Sequence, residues 1–315
     1  PLPRRAPHPW QRAVARVAKP VALITGGARG IGLATARRLA SDHRIALLDL
    51  DADALQQAAA YCGSDAITAV CDITDQAQID AAVAHVVAEA GGIDVVFSNA
   101  GIGGGGSLRL LDPDVLEAII NVNLIGNWRL IHSCLPYLIE RRGYVIANAS
   151  ASALLPAIGI GAYASSKAGL EQLMNVLRSE VDHLGVSVGV SYFWFVKTDM
   201  VDGAEREMGR VGGLRSEMPG LLKGIVSVES VGEKLAAGIR GRARRVVAPR
   251  WVTPLFFLRG MLGGIVERGT AEMAAELDEA TAERVSETSE FAAAFRTTQA
   301  GHHAAADSIG HGLND

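Results

Sequence analysis

From residue 20 onward, short apolar runs alternate with longer stretches in which apolar residues recur every three to four positions. The runs fall at residues 21–25, 45–50, 67–71, 95–98, 144–149, 186–193 and 246–248. The stretches at 31–39, 55–61, 77–89, 163–184 and 231–239 carry helical periodicity, and 114–126 with 128–141 reads as one long, broken helix. Continuous apolar runs, unlike alternating ones, mark strands buried on both faces. Their alternation with helices predicts βαβ units. The expected fold is α/β, a doubly wound parallel sheet of Rossmann type with helices on both faces.

No linker interrupts residues 20–250, so that span reads as one domain. Residues 1–19 form a basic arm, with four prolines in the first nine positions and no acid. Proline opposes helix there. Residues 199–222 are rich in Gly and Met and read as a loop region. Residues 251–315 read as a helical extension in three parts. An apolar segment, 251–266, has Arg259 at its centre. An acidic stretch, 271–290, reads as a solvated helix, and 297–315 is a polar tail. The apolar segment must hide its aromatics over the substrate mouth, in a subunit contact or in a membrane interface beside the arginines at 240–250. The first two are favoured, because the acidic stretch next to it repels anionic lipid.

Composition narrows the class. Of 315 residues, 49% are hydrophobic and 20% charged, enough for a sizeable core. A formal charge of −4 argues against a general nucleic-acid binder. Cys62, Cys71 and Cys134 form no CxxC pair and read as reduced thiols of a cytoplasmic protein. No apolar run reaches the ~18 residues of a membrane span, and no apolar leader marks a secretory signal. The histidines show no metal-ligand spacing, so no metal is expected.

Candidate chemistry sits between the elements. Gly26, Gly27, Arg29, Gly30, Ile31 and Gly32 join the first strand to the first helix. Glycines there let the backbone approach a pyrophosphate, and the helix start offers free N–H groups. Tyr163 and Lys167 stand four apart on a helix and share a face. A nearby ammonium favours the phenolate over the phenol, so this tyrosine is expected to titrate below its ordinary ~10 and to serve as a general acid/base. Asp49 closes the second strand, where a carboxylate can accept two ribose hydroxyls and repel a 2′-phosphate. Asp51 is expected to be solvent-exposed.

These motifs, TGxxxGxG, Asn99-Ala100-Gly101, Asn123, Ser150 and Tyr163-x-x-x-Lys167, stand in the order of the short-chain dehydrogenase/reductase family, which the chain resembles over residues 19–250. The resemblance implies a catalytic set of Asn123, Ser150, Tyr163 and Lys167. Ser150 would steady charge on the substrate oxygen. Lys167 would also hold the nicotinamide ribose. Asn123 would kink its helix and place a proton-relaying water. It further implies that Asp72 and Ile73 flank the adenine, that Asn99, Ala100 and Gly101 line the cofactor, and that Val196 and Thr198 meet the nicotinamide. The family's usual Pro-Gly after the sixth strand is replaced by Phe193-Trp194, either a locally different turn or an aromatic wall for a bulky substrate. Ser150, Leu154, Tyr163 and Trp194 are the candidate substrate contacts; Leu155, Ile158, Ile160, Met200 and Met208 are further apolar candidates.

The activity implied is interconversion of a lipophilic secondary alcohol and its ketone with NAD. Arg29 leaves NADP open as the less favoured cofactor, and an NADPH-linked carbonyl reductase or a non-catalytic NAD-binding scaffold are the alternatives. A homo-oligomer, dimer or tetramer, is also implied.

Overall fold

The computed structural model describes residues 19–156, 158–198, 220, 224–270 and 273–287. Residues 1–18 of the basic arm, nearly all of the expected loop region at 199–222 with Met200 and Met208, and the polar tail lie outside the described residues.

Seven parallel strands form one sheet in the order β3-β2-β1-β4-β5-β6-β7. They are β1 (Val21–Thr25), β2 (Arg44–Asp49), β3 (Ile67–Val70), β4 (Val95–Ser98), β5 (Tyr144–Asn148), β6 (Ser187–Phe193) and β7 (Arg245–Ala248). Side chains alternate faces along each strand, and both faces are covered. Val21 and Leu23 of β1 join Val145 of β5 in a core under α3 (Gln76–Ala90), α5 (Asn127–Arg141) and α6 (Gly161–Val181). Ala22 and Ile24 join Ile146 in a second core under α1 (Gly30–Leu39), α2 (Ala52–Ala59) and α7 (Val228–Arg240). Burial on both sides is why these strands read as unbroken apolar runs.

The broken helix takes a definite form. α4 (Pro113–Ile120) starts on an Asp112 cap with Pro113 in its first turn. A π-helical stretch, Asn121–Gly126, then widens the turn before α5. Such bulges accommodate an extra residue and cluster at functional sites.

Among the described residues the extension forms two α-helices. α8 (Leu255–Thr270) lies on the α6 side of the sheet. Phe256 meets Tyr192 of β6 edge-on at 4.6 Å, and Arg259 pairs with the buried Glu171 of α6 at 3.1 Å. Phe257 and Met261 remain 81% and 76% exposed, so the helix hides only one face. α9 (Met273–Glu287) is not wholly solvated, because Leu277 and Thr281 are buried. Among the described residues no helix is long and apolar enough to cross a membrane.

Candidate active site

The C-terminal tips of the strands open onto one cavity of about 810 Å3. In open α/β sheets this is where crossovers diverge and leave a crevice. Its lining takes in Gly26, Arg29, Gly30 and Ile31 of the first turn and Asp49 at the tip of β2. It continues over Asp72 and Ile73 after β3, then Asn99, Ala100 and Gly101 after β4. Ser150, Tyr163, Lys167, Trp194, Val196 and Thr198 complete it. Residues spread over about 170 positions of sequence thus share one space.

At one end, the glycine turn starts α1 without a side-chain cap. The first N–H groups of that helix are thus not capped by the Arg29 side chain, which suits an anion. Gly30 sits at φ +52°, where an L side chain is strained. Gly32 is packed so closely that an added Cβ would overlap the Gly26 carbonyl. Asp49 accepts from the Ala28 N–H at 3.0 Å and from the Leu50 N–H at 2.9 Å, which fixes its carboxylate beside the turn. Asp51 is not simply solvated. It caps α2 by accepting from Ala54 N–H, and it pairs with the Arg29 guanidinium. Asp51 and Asp53 line the same end of the cavity. Asp72 accepts from both the backbone and the hydroxyl of Thr74.

At the other end, Tyr163 and Lys167 occupy the first two turns of α6. Ser150 caps a 3-10 turn, its Oγ accepting from Ser152 N–H, and contacts the Tyr163 phenol. The Lys167 ammonium stands 5.6 Å from the centre of the Tyr163 ring and donates to the Asn148 carbonyl at 2.8 Å. Burial pushes the lysine down to about 8. Burial also raises the phenol, against the smaller, opposite pull of the Ser150 hydrogen bond. The expected lowering of Tyr163 is therefore not met in the protein alone: the desolvation outweighs an ammonium that faces Asn148. A positive charge bound beside the phenol would act in the opposite direction.

Asn123 lies in the π-helical stretch and is fully buried. Its amide donates to the Ile102 carbonyl and the Ser166 hydroxyl, and its Oδ1 accepts from Ile102 N–H. An added Cβ on Gly101 would lie 2.9 Å from Asn123 Oδ1 and 3.3 Å from Lys167 Nζ. The two polar groups thus converge over a glycine, in a space that any side chain would fill.

Trp194 lines the cavity and is held edge-on by Phe195 and by Trp251 at 4.8 Å. Phe193 reaches the cavity but is mostly buried in the α1–α7 core. Leu154 does not line the cavity. It is buried in the α6-side core, because the 3-10 turn after Ser150 rotates it inward. Leu155, Ile158 and Ile160 are likewise absent from the lining.

Asn148 escaped the sequence reading. It supplies the carbonyl for Lys167, donates to Asn99 Oδ1 and accepts from Ser191. Asn99 in turn donates to the Thr25 and Gly26 carbonyls. The one available signal was a polar residue ending an otherwise apolar strand.

Comparison with known proteins agrees with the fold. A family model described as short chain dehydrogenase matches residues 20–209. A (+)-borneol dehydrogenase of Salvia officinalis is 32% identical over 216 residues, 67% of this chain and 83% of that enzyme. A short chain dehydrogenase/reductase from Burkholderia phymatum, solved with NAD, superposes with a TM-score of 0.68 at 24% identity, over 78% of this chain and 94% of that one. An alcohol dehydrogenase from Thermococcus sibiricus, solved with 5-hydroxy-NADP, gives a TM-score of 0.63 at 25% identity, over 73% and 95%.

Proposed function

The chain belongs to the short chain dehydrogenase family, and from that premise we propose that it is an NAD(H)-dependent oxidoreductase interconverting a lipophilic secondary alcohol and its ketone. The observation that carries the reading is the meeting of Ser150, Tyr163 and Lys167 on one wall of the cavity whose far end holds the glycine turn and Asp49. Trp194 in the lining of the same cavity favours an apolar substrate, as does the borneol dehydrogenase relative.

The dinucleotide fits the residues present. The uncapped start of α1 would hold its pyrophosphate, Asp49 its ribose hydroxyls, and Asn99, Ala100, Gly101, Val196 and Thr198 its nicotinamide end. When bound, it accepts or donates the hydride. This chain's own part is the proton. Ser150 donates to the substrate oxygen and steadies charge there. The Tyr163 phenolate takes the proton of the alcohol, and in the reverse direction the phenol returns it. Lys167 keeps positive charge close to the phenol, and Asn123 fixes Ile102 and Ser166 around it.

NAD rather than NADP follows from charge. Asp49, Asp51 and Asp53 line the adenosine end, and Arg29, the one cation beside them among the described residues, is paired with Asp51. A 2′-phosphate there faces like charge, worth ~1 to several kcal/mol where solvent is excluded. Three buried free thiols suit a reducing cytoplasm, and family practice points to a homo-oligomer, which light scattering at micromolar concentration tests. The decisive assay is reduced-nicotinamide absorbance across a panel of secondary alcohols with each cofactor. Turnover of bulky apolar alcohols with NAD is expected. Bound NAD without turnover of any alcohol or ketone sinks the reading in favour of a scaffold, and faster rates with NADP overturn the cofactor choice.

A further inference from the structure

Two segments leave the reacting end of the cavity and meet again beyond it. One, 103–111, follows Gly101 and Ile102. The other, 151–160, links Ser150 to the start of α6. They are joined where Gly106 N–H donates to the Gly159 carbonyl at 2.7 Å and Gly106 bridges Ile160. Leu108 then lies over Gly161, so close that a Cβ on that glycine would stand 2.6 Å from Leu108 Cδ1. Leu108 is itself 59% exposed, an apolar surface set on Gly161, which lies two residues before Tyr163 in the chain.

α9 sits on this junction. Leu277, 4% exposed, lies against Gly159, where an added Cβ would be 3.4 Å from its methyl. The Thr281 hydroxyl, also buried, accepts from Ser107 N–H at 3.0 Å and donates to the Leu277 carbonyl within its own helix. Asp278, between them, accepts from the Arg109 guanidinium at 2.7 Å, and the Ser107 hydroxyl also bonds it. The contacts of Thr281 with Ser107 and of Asp278 with Arg109 each bridge more than 160 residues of sequence. The three contacts hold both segments at once, and none touches the cofactor end of the cavity.

We propose that α9 positions the substrate-side segments, with Leu277 and Thr281 as the positioning residues that select bulky lipophilic alcohols. The proposal rests on the dehydrogenase reading above for its substrate. Held by α9, Leu108 and the Gly106–Gly159 junction present a fixed apolar border to the part of a large alcohol that extends beyond Tyr163. A small alcohol does not reach that border. Releasing α9 therefore costs binding of the large substrate and leaves the chemistry at Tyr163 in place.

The test compares Leu277→Asp, Thr281→Val and Thr281→Ser with the unmodified full chain. Each is assayed with NAD and two alcohols, a bicyclic one and 2-propanol, and amide exchange is followed at Gly106 and Ser107. Leu277→Asp should raise KM for the bicyclic alcohol about tenfold or more, the range of a lost apolar contact. Its kcat and its kcat/KM for 2-propanol should stay within about threefold, and NAD affinity within about twofold. Thr281→Val should act in the same direction with faster exchange at Ser107, and Thr281→Ser should restore both. An equal loss on both alcohols, or no change on either, overturns the proposal. If Leu277→Asp does not fold, the Thr281 pair decides alone. If the unmodified chain oxidises neither alcohol, the dehydrogenase reading has failed, and exchange still judges the bracing: faster in Thr281→Val but not in Thr281→Ser supports it, unchanged in both overturns it.

Discussion

Lys167 and Glu171 are one turn apart on α6, both buried, and handled in opposite ways. Lys167 faces the cavity with a carbonyl as its partner, and among the described residues no carboxylate pairs with it. Glu171 faces the extension and is held by Arg259 of α8 and by the Tyr192 hydroxyl of β6. Burial, with Glu171 beside it, keeps that tyrosine protonated. A buried ion without a counter-ion is costly, and a buried ion with two good partners is tolerated. The turn with Lys167 therefore carries a group poised to change protonation, whereas the next one carries a fixed joint. A strongly perturbed titratable group in a cleft is the arrangement expected of a working site.

The largest expected effect tests the poised side. Tyr163→Phe should cut turnover by at least ~10²-fold, the lower range for a lost general acid/base, with NAD affinity nearly unchanged. Turnover within a few-fold of normal removes Tyr163 from the proposal. In the absence of cofactor, a difference titration of absorbance between the two proteins should place the Tyr163 phenol above its ordinary value, and saturating NAD should bring it down.

Lys167→Met should lower both turnover and NAD affinity, yet raise stability by about 1–3 kcal/mol at pH 7, since it removes an uncompensated charge. The sign follows from the depressed folded-state value of about 8 against 10.5. Between those values the unfolded chain binds more protons, so the unmodified protein gains stability as pH rises through the window. The advantage of the Met variant should fade from pH 8 to above 10 in urea melts. A constant difference across that range means that Lys167 is not desolvated.

The joint should respond the other way. Arg259→Met should lower stability by about 1–2 kcal/mol, a modest figure because the guanidinium is half-exposed. NAD affinity should hold. Smallest is Asp49→Ser, which should shift the NADP-to-NAD ratio of kcat/KM about tenfold toward NADP. No shift there means that Asp49 does not face the ribose.

What could be read in advance follows the same division. The strand runs, the glycine turn and the Tyr163–Lys167 spacing are local patterns, and each is found in place. The break near Asn123 was legible because the periodicity slips there, and the π-helical stretch accounts for it. Contacts between distant segments left no such trace. Glu171 and Arg259 are 88 positions apart, and Arg109 and Asp278 are 169 apart. Read alone, 271–290 is a charged helix, because two buried residues among seven acids carry little periodic signal. Leu154 misled for a related reason: an apolar residue beside Ser150 suits a pocket or a core, and only the direction of the 3-10 turn decides between them.

The sheet's two outer strands carry one more consequence. β3 and β7 are four residues each, the shortest length in the sheet, shared with β4. β7 begins at the exposed Arg245 and runs directly into Pro249, which has no N–H to offer. A brief, charged border ended by proline gives a neighbouring chain few ladder bonds to form. Growth of the sheet from molecule to molecule, the route to fibrous aggregation, is thereby disfavoured at the β7 margin.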